Sequence, residues 1–215
     1  VDDRAQHPVA AVALTAAGTA YFTGEFIAAA AWTDPPYSYT HHFISNLGVH
    51  GPLTAFGQYI YSPLAAVMNT GFALTGLFAL AGVATLRGLP AARRVAAVTA
   101  AAVLAAGLML VALFPGDGST TGTDFHGIGA MLAFVAGNAL IVLLGRAHRA
   151  LGLSPALGRA LTVAGIVGLL SLVAFEAILA SGAGVLIGLA ERGIIYPFLT
   201  GFVVLGAALR RRRAR

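Results

Sequence analysis

Apolar residues run through this chain in long blocks, not in strand-like alternation. Six blocks, about 8–31, 63–86, 94–114, 126–145, 159–181 and 191–210, carry few charges. Each comes close to the roughly 20 residues an α-helix needs to cross a bilayer. Leu89-Pro90 and Ser154-Pro155 punctuate two of the short connections. The pattern predicts an all-α fold: a polytopic integral membrane helix bundle of six transmembrane helices in one domain over 1–215. The longest connection, about residues 32–62, holds Trp32 together with Tyr37, Tyr39, Tyr59 and Tyr61. Aromatic residues of this kind favour the membrane interface. The segment is therefore expected to lie on the membrane or to fold back over the bundle.

Charge orients the bundle. There is no lysine, and twelve of the thirteen arginines fall before the first block, in the second and fourth connections, or after the last block. These are Arg4, then Arg87, Arg93 and Arg94, then Arg146, Arg149 and Arg159, then the tail from Arg210 to Arg215. Cytoplasmic loops collect arginine and lysine, so both termini are expected in the cytoplasm and the remaining arginine, Arg192, outside. The expected location is the plasma (inner) membrane, with the functional face extracytoplasmic. Asp2, Asp3 and Arg4 run straight into the first block, so that block is expected to stay as an anchor.

Composition narrows the chemistry. A chain that is 58% hydrophobic and 10% charged is no ordinary soluble domain. Its net charge of +5 reads as topology signal near anionic lipid, and no nucleic-acid partner is expected. The absence of cysteine excludes disulfides, thiolate ligands and a thiol nucleophile. Six acids, Glu25, Asp34, Asp117, Asp124, Glu176 and Glu191, lie toward the outer side against the single Arg192. That excess favours a cation, a metal or an amine over a phosphate. Glu25 and Glu176, set in apolar blocks, need partners or water.

Three outer strings carry the candidate residues. The first runs from His41 to His50. On a helix, His42, Ser45 and Asn46 would share one face and His41 would point away. The second runs from Phe114 to His126. Asp117, Ser119, Thr121 and Gly122 match part of a calcium-loop spacing, but Ile128 stands where its last ligand belongs. Asp124 is placed to cap the fourth helix. The third is Glu191-Arg192 through Tyr196-Pro197, where Arg192 at a helix start opposes the dipole and calls for an acidic partner. Contact with at least one acid from another span or loop is expected, Glu176, Asp117 and Asp124 first, since a guanidinium can bind a carboxylate with two parallel hydrogen bonds. The strings are expected to converge on one outer site formed by His41, His42, Ser45, Asn46, His50, Asp117, Asp124, His126, Glu176, Glu191 and Arg192. His42, His126 and Asp124 are the candidate ligands of a divalent metal, zinc before calcium. Asn138 is expected to make an interhelical hydrogen bond.

Together the strings resemble the uncharacterised bacterial membrane-protein family known as domain of unknown function 998. His42, Ser45, Leu47 and Gly48 resemble its HxxSxLG motif. Ser62-Pro63 through Asn69 and Gly76 resembles the second motif. Phe114-Pro115, His126-Gly127-Ile128-Gly129-Ala130 and Gly137-Asn138 resemble the third, and Glu191-Arg192 with Ile195-Tyr196-Pro197 the last. Asn46 departs from the acid often found there, which weakens any role needing a carboxylate at that position. The resemblance implies a bundle of about six spans and no particular activity. The reading that follows is a membrane protein whose outer polar site binds a lipid head group, a small ligand or a partner subunit. A metal-dependent hydrolase of lipid amides or esters is the first alternative, and a cation- or proton-coupled carrier using Glu25 and Glu176 the second. Whether the chain is an enzyme stays open at this point.

Overall fold

The computed structural model describes residues 7–116, 118 and 122–211, the last without its side chain. It contains six long helices: α1 Pro8–Ala31, α2 Ala65–Ala84, α3 Ala91–Leu113, α4 Phe125–Arg146, α5 Pro155–Ser181 and α6 Ile187–Arg211. Consecutive helices pack side by side, α6 closes the ring against α1, and α4 and α6 touch across it. Five of the six, α2 to α6, are long and apolar enough to cross a membrane. The 24 residues of α1 are diluted by threonines, glycines, Tyr21 and Glu25. α6 starts four residues ahead of the expected 191, so Glu191 and Arg192 sit in its second turn and not at its very start.

Local chemistry sets the helix ends. Pro8 and Pro155 open α1 and α5 where a missing N–H costs nothing. The Ser154 hydroxyl accepts from Leu157 N, and the Asp124 carboxylate accepts from Gly127 N at 2.8 Å, as its sequence position anticipated. At the C-terminal end of α2, the Arg94 guanidinium donates to the carbonyls of Leu86 (2.7 Å) and Ala84 (3.0 Å). That arginine thus satisfies terminal carbonyls and complements the negative end of the helix dipole.

Small residues bring the helices together. A Cβ added to Gly129 would lie 2.7 Å from the Gly107 carbonyl oxygen, and one on Gly107 would lie 2.6 Å from that of Gly129. The α3–α4 backbones therefore meet directly, the close approach that replaces hydrophobic drive between helices in lipid. Asn138 in α4 donates to the Ile194 carbonyl in α6 at 3.0 Å and to Phe134 O at 2.9 Å, an interhelical bond of the expected kind.

The 32–62 segment folds back over the bundle. It carries a 3-10 turn, Ser45–Gly48, and a hairpin of strands β1 Leu53–Ala55 and β2 Gln58–Ile60. Trp32, Ile44, Leu47 and Ile60 are buried in the same core as the helices. Ser62 Oγ donates to Leu47 O at 2.8 Å and Asn69 Nδ2 to Gly48 O at 2.9 Å, fixing the turn to the start of α2. Phe56, first central residue of the hairpin turn, has φ of 53°. That conformation is costly without glycine, and it leaves the Phe56 ring exposed beside Phe43.

The glycine contact yields a first prediction. Gly129→Val should force apart α3 and α4 and cost about 1–3 kcal/mol, the usual range for overpacking. The melting temperature in detergent should fall clearly below that of wild type, while Val167→Ala on the exposed face of α5 should leave it within a degree or two. Equal melting of the Gly129 variant and wild type would refute the direct α3–α4 contact.

Candidate functional site

The segment that folds back is held by charge. Arg192, on α6, is 5% exposed, and Glu25, on α1, is fully buried. Arg192 Nε and Nη2 both donate to Glu25 Oε1, at 3.1 and 2.8 Å. Nη2 also donates to the Tyr37 hydroxyl at 2.6 Å. Nη1 donates to the carbonyls of Tyr39 (2.6 Å), Gly188 (3.0 Å) and, more weakly, His42 (3.4 Å). The Tyr196 hydroxyl adds a third bond to Glu25 Oε1 at 3.0 Å. The Tyr39 ring lies 4.7 Å from the guanidinium carbon, within cation–π range. Burying a charge is tolerated when every donor finds an acceptor, and the guanidinium meets that condition.

The expected acid from another span is present, but among the described residues it is Glu25, not Glu176 or Asp124, and the two donors converge on one oxygen instead of forming a parallel fork. Glu25 Oε2 and the buried Tyr21 hydroxyl, one turn apart on α1, are left without hydrogen-bond partners. Sequence reasoning missed Tyr37, Tyr39 and Tyr196 as participants. The usable signal was the i, i+4 pair Arg192–Tyr196, which put a phenol on the same helical face as the guanidinium.

Glu191, next in sequence, is turned to another task. One of its carboxylate oxygens accepts from Ile44 N, clamping the start of the 3-10 turn onto α6. Gly188 lies under the His42 carbonyl, where a Cβ would clash, and Leu189 N donates to Thr40 O at 3.2 Å. Residues 39–44 thus rest on the first two turns of α6.

His42 belongs to this loop and not to a metal centre with His126. Its Nδ1 accepts from Ser38 N at 2.9 Å, and its ring stacks on Trp32 at 5.0 Å. His126 Nδ1 instead meets Phe114 O at 2.9 Å. Among the described residues, no three His, Asp or Glu side chains are grouped to hold a metal ion, so the set of His42, His126 and Asp124 is not assembled. His41 is exposed and hydrogen-bonds with Ser38 and Thr40. Asn46 is buried, donating to Gln58 Oε1 at 2.6 Å, while Gln58 Nε2 donates to His41 O. The single helical face predicted for His42, Ser45 and Asn46 is absent because the helix there is one 3-10 turn starting at Ser45. His50 is exposed near Tyr61. Asp117, Ser119 and Thr121 of the calcium-loop spacing lie outside the described residues.

The remaining candidates do come together. Ser45, Asp124, His126, Glu176 and Glu191 line one half-open groove of about 610 Å³ between the ends of α3, α4 and α5. Its walls are otherwise apolar, with Phe43, Phe114, Phe134 and Phe175 among them. At its inner end a chamber of about 20 Å³ is bounded by Ser45, His126, Phe134 and Glu191. The convergence is therefore split: His42 and Arg192 lie in the buried clamp, Ser45, Asp124, His126, Glu176 and Glu191 in the groove, and His41, Asn46 and His50 line neither.

Burial of the loop lowers the His42 ring below the ordinary imidazole value, with smaller effects from His41 and Arg192. It also raises the hydroxyls of Tyr37 and Tyr39. Folding thus favours neutral His42, whose Nδ1 must be bare to accept from Ser38. The unfolded chain binds that proton more readily, so the His42 contribution is present above about pH 6.5, the free imidazole value. It is lost as pH falls from there toward the lowered folded value. Melting temperatures at pH 7.5 and 5.5 should differ more for wild type than for His42→Gln, and equal differences would remove His42 as the source.

A second expectation concerns the clamp. Arg192→Ala strands Glu25, and breaking a buried pair costs about 3–5 kcal/mol. It should lower the melting temperature far more than Arg149→Ala, at an exposed arginine of the α4–α5 turn. Comparable melting of the two variants would show that the pair is not structural.

The family model described as "Protein of unknown function (DUF998)" matches residues 9–208. No curated protein and no solved structure matches the chain.

Proposed function

The chain belongs to the DUF998 family, and from that premise we propose an integral membrane protein of six spans, both termini cytoplasmic, whose extracytoplasmic end binds an amphiphile such as a lipid. The arginine distribution supports the orientation. Arg87, Arg93, Arg94, Arg146, Arg149, Arg159 and Arg210 are all exposed, whereas Arg192 is buried. α1 supports the sixth span: it packs between α2 and α6, and at about 1.5 Å per residue its length reaches a bilayer's hydrocarbon thickness. Its polar Glu25 is turned to Arg192 and Tyr196, not to lipid.

The groove carries the binding proposal. A half-open, largely apolar cleft of this volume with a few polar groups at one end has the make-up of a small-molecule site. Its aromatic walls suit a hydrocarbon chain, and its polar end suits a headgroup. It lies at the helix ends where, in the proposed orientation, lipid headgroups would sit. The membrane we propose is the plasma (inner) membrane, as the arginine distribution suggests. The clamped 32–62 segment serves as a fixed wall, contributing Phe43, Ser45 and Phe56 to the groove.

Topology is checked by single-cysteine labelling, made clean by the absence of native cysteine. Membrane-impermeant maleimide applied to intact cells should label Thr123→Cys and leave Leu89→Cys and Arg149→Cys unlabelled until the cells are opened. The reverse pattern would invert the protein. Ligand binding is checked by native mass spectrometry of the detergent-purified chain. Retained amphiphile should be depleted by Ala130→Phe and by Met131→Trp, both lining the groove. Retention unchanged in both folded variants would reject the groove as the site.

A further inference from the structure

We propose that the amphiphile held in the groove carries a cationic headgroup, an amine or quaternary ammonium, seated on Glu191 at the inner end and on Glu176 and Asp124 at the mouth. The inference rests on the groove being a ligand site, and names the chemistry of its ligand.

The first support is a buried carboxyl group with no ion-pair partner among the described residues. Glu191 is 4% exposed and lines both the groove and its inner chamber. Among the described residues its one hydrogen bond comes from Ile44 N. The adjacent guanidinium is already occupied by Glu25, Tyr37 and three carbonyls, and the ion pair it makes is with Glu25. Among the described residues Glu191 has no ion-pair partner. A carboxylate withdrawn from water without a counter-charge is costly. A ligand cation at the inner end of the groove would supply that charge.

The second support is the rest of the lining. Glu176 and Asp124 add two carboxylates, and no arginine is among the described lining residues. An anionic headgroup would meet three acids and no arginine among the described lining residues, and a neutral one would leave the Glu191 carboxyl without an ionic partner. The Phe175 ring meets both Phe43 and Phe134 edge to face, with centroids 6.1 and 6.0 Å apart. These rings line the same groove as the acids, and ring faces attract organic cations, which adds to the preference over a neutral head. The grouping of three acids or histidines that a bare metal ion would use is lacking among the described residues. The volume and apolar walls fit a chain-bearing ammonium better than an ion alone.

The test is competition on the full chain by native mass spectrometry. Dodecyltrimethylammonium, dodecyl sulfate and dodecanol share one chain and differ in head. Wild type should retain the ammonium about tenfold over the other two, equivalent to about 1.4 kcal/mol. Glu191→Gln keeps an acceptor for Ile44 N and should erase most of that preference. Glu176→Gln, at an exposed position where folding is not at stake, should cut it by about threefold, the size of a partly solvated ion pair. Equal retention of all three amphiphiles, or preference for the sulfate, would overturn the cationic assignment. If that retention were still depleted by Ala130→Phe, the groove would stand as a binding site of different chemistry. Retention of none of them would overturn both readings. An ammonium preference unchanged in both glutamate variants would also overturn the assignment, since the charge would then lie elsewhere.

Discussion

A guanidinium buried among helices persists only where its donors are met, and here that requirement organises one whole end of the molecule. Arg192 takes its counter-charge from α1, a hydroxyl and two carbonyls from the 32–62 segment, and a carbonyl from its own helix. First helix, last helix and longest connection are therefore joined at one side chain. Low dielectric strengthens each of these bonds and makes each unmade one expensive. The closed ring of helices and the folded-back segment each supply part of that one set of acceptors.

The clamp has a consequence for the groove. With Arg192 turned toward α1, its neighbour Glu191 is left on the other side of the α6 surface, against Ile44 and the groove. Adjacent residues on a helix point about 100° apart, so one dipeptide serves two environments. The arginine pairs with the buried acid of α1, and the glutamate lines the cleft. The family-resembling residues follow the same division. Leu47, Gly48, Ser62 and Asn69 bond or pack with one another to fix the turn, whereas Ser45, His126 and Glu191 line the inner chamber.

Most of the helical framework was legible along the chain. Long apolar runs, Pro8, Ser154-Pro155 and Asp124 all act through local backbone and capping physics, and the structure places the helices within a few residues of the boundaries they imply. The start of α6 was less legible, because Ile187-Gly188 lacks a charged or capping marker, and the helix begins there with its N-terminal turn under the loop. The site was legible in residue types but not in assignment. Glu25 was recognisable as an acid in need of a partner, and Arg192 as a base in need of one, yet 167 residues separate them. Only the closure of α6 on α1 decides that they meet.

The sequence by itself determined that the chain forms long apolar helices with arginine collected at alternate connections and acids at the others, because hydrophobic run length and charge placement are properties of short segments. The tertiary structure alone decided which acid neutralises Arg192, that His42 and His126 serve separate elements, and that Ser45, Asp124, His126, Glu176 and Glu191 share one cleft. Those outcomes depend on helix order and rotation about the ring and on a loop folded over its end. They are set by packing between distant segments, where a residue's neighbours in space are not its neighbours in the chain.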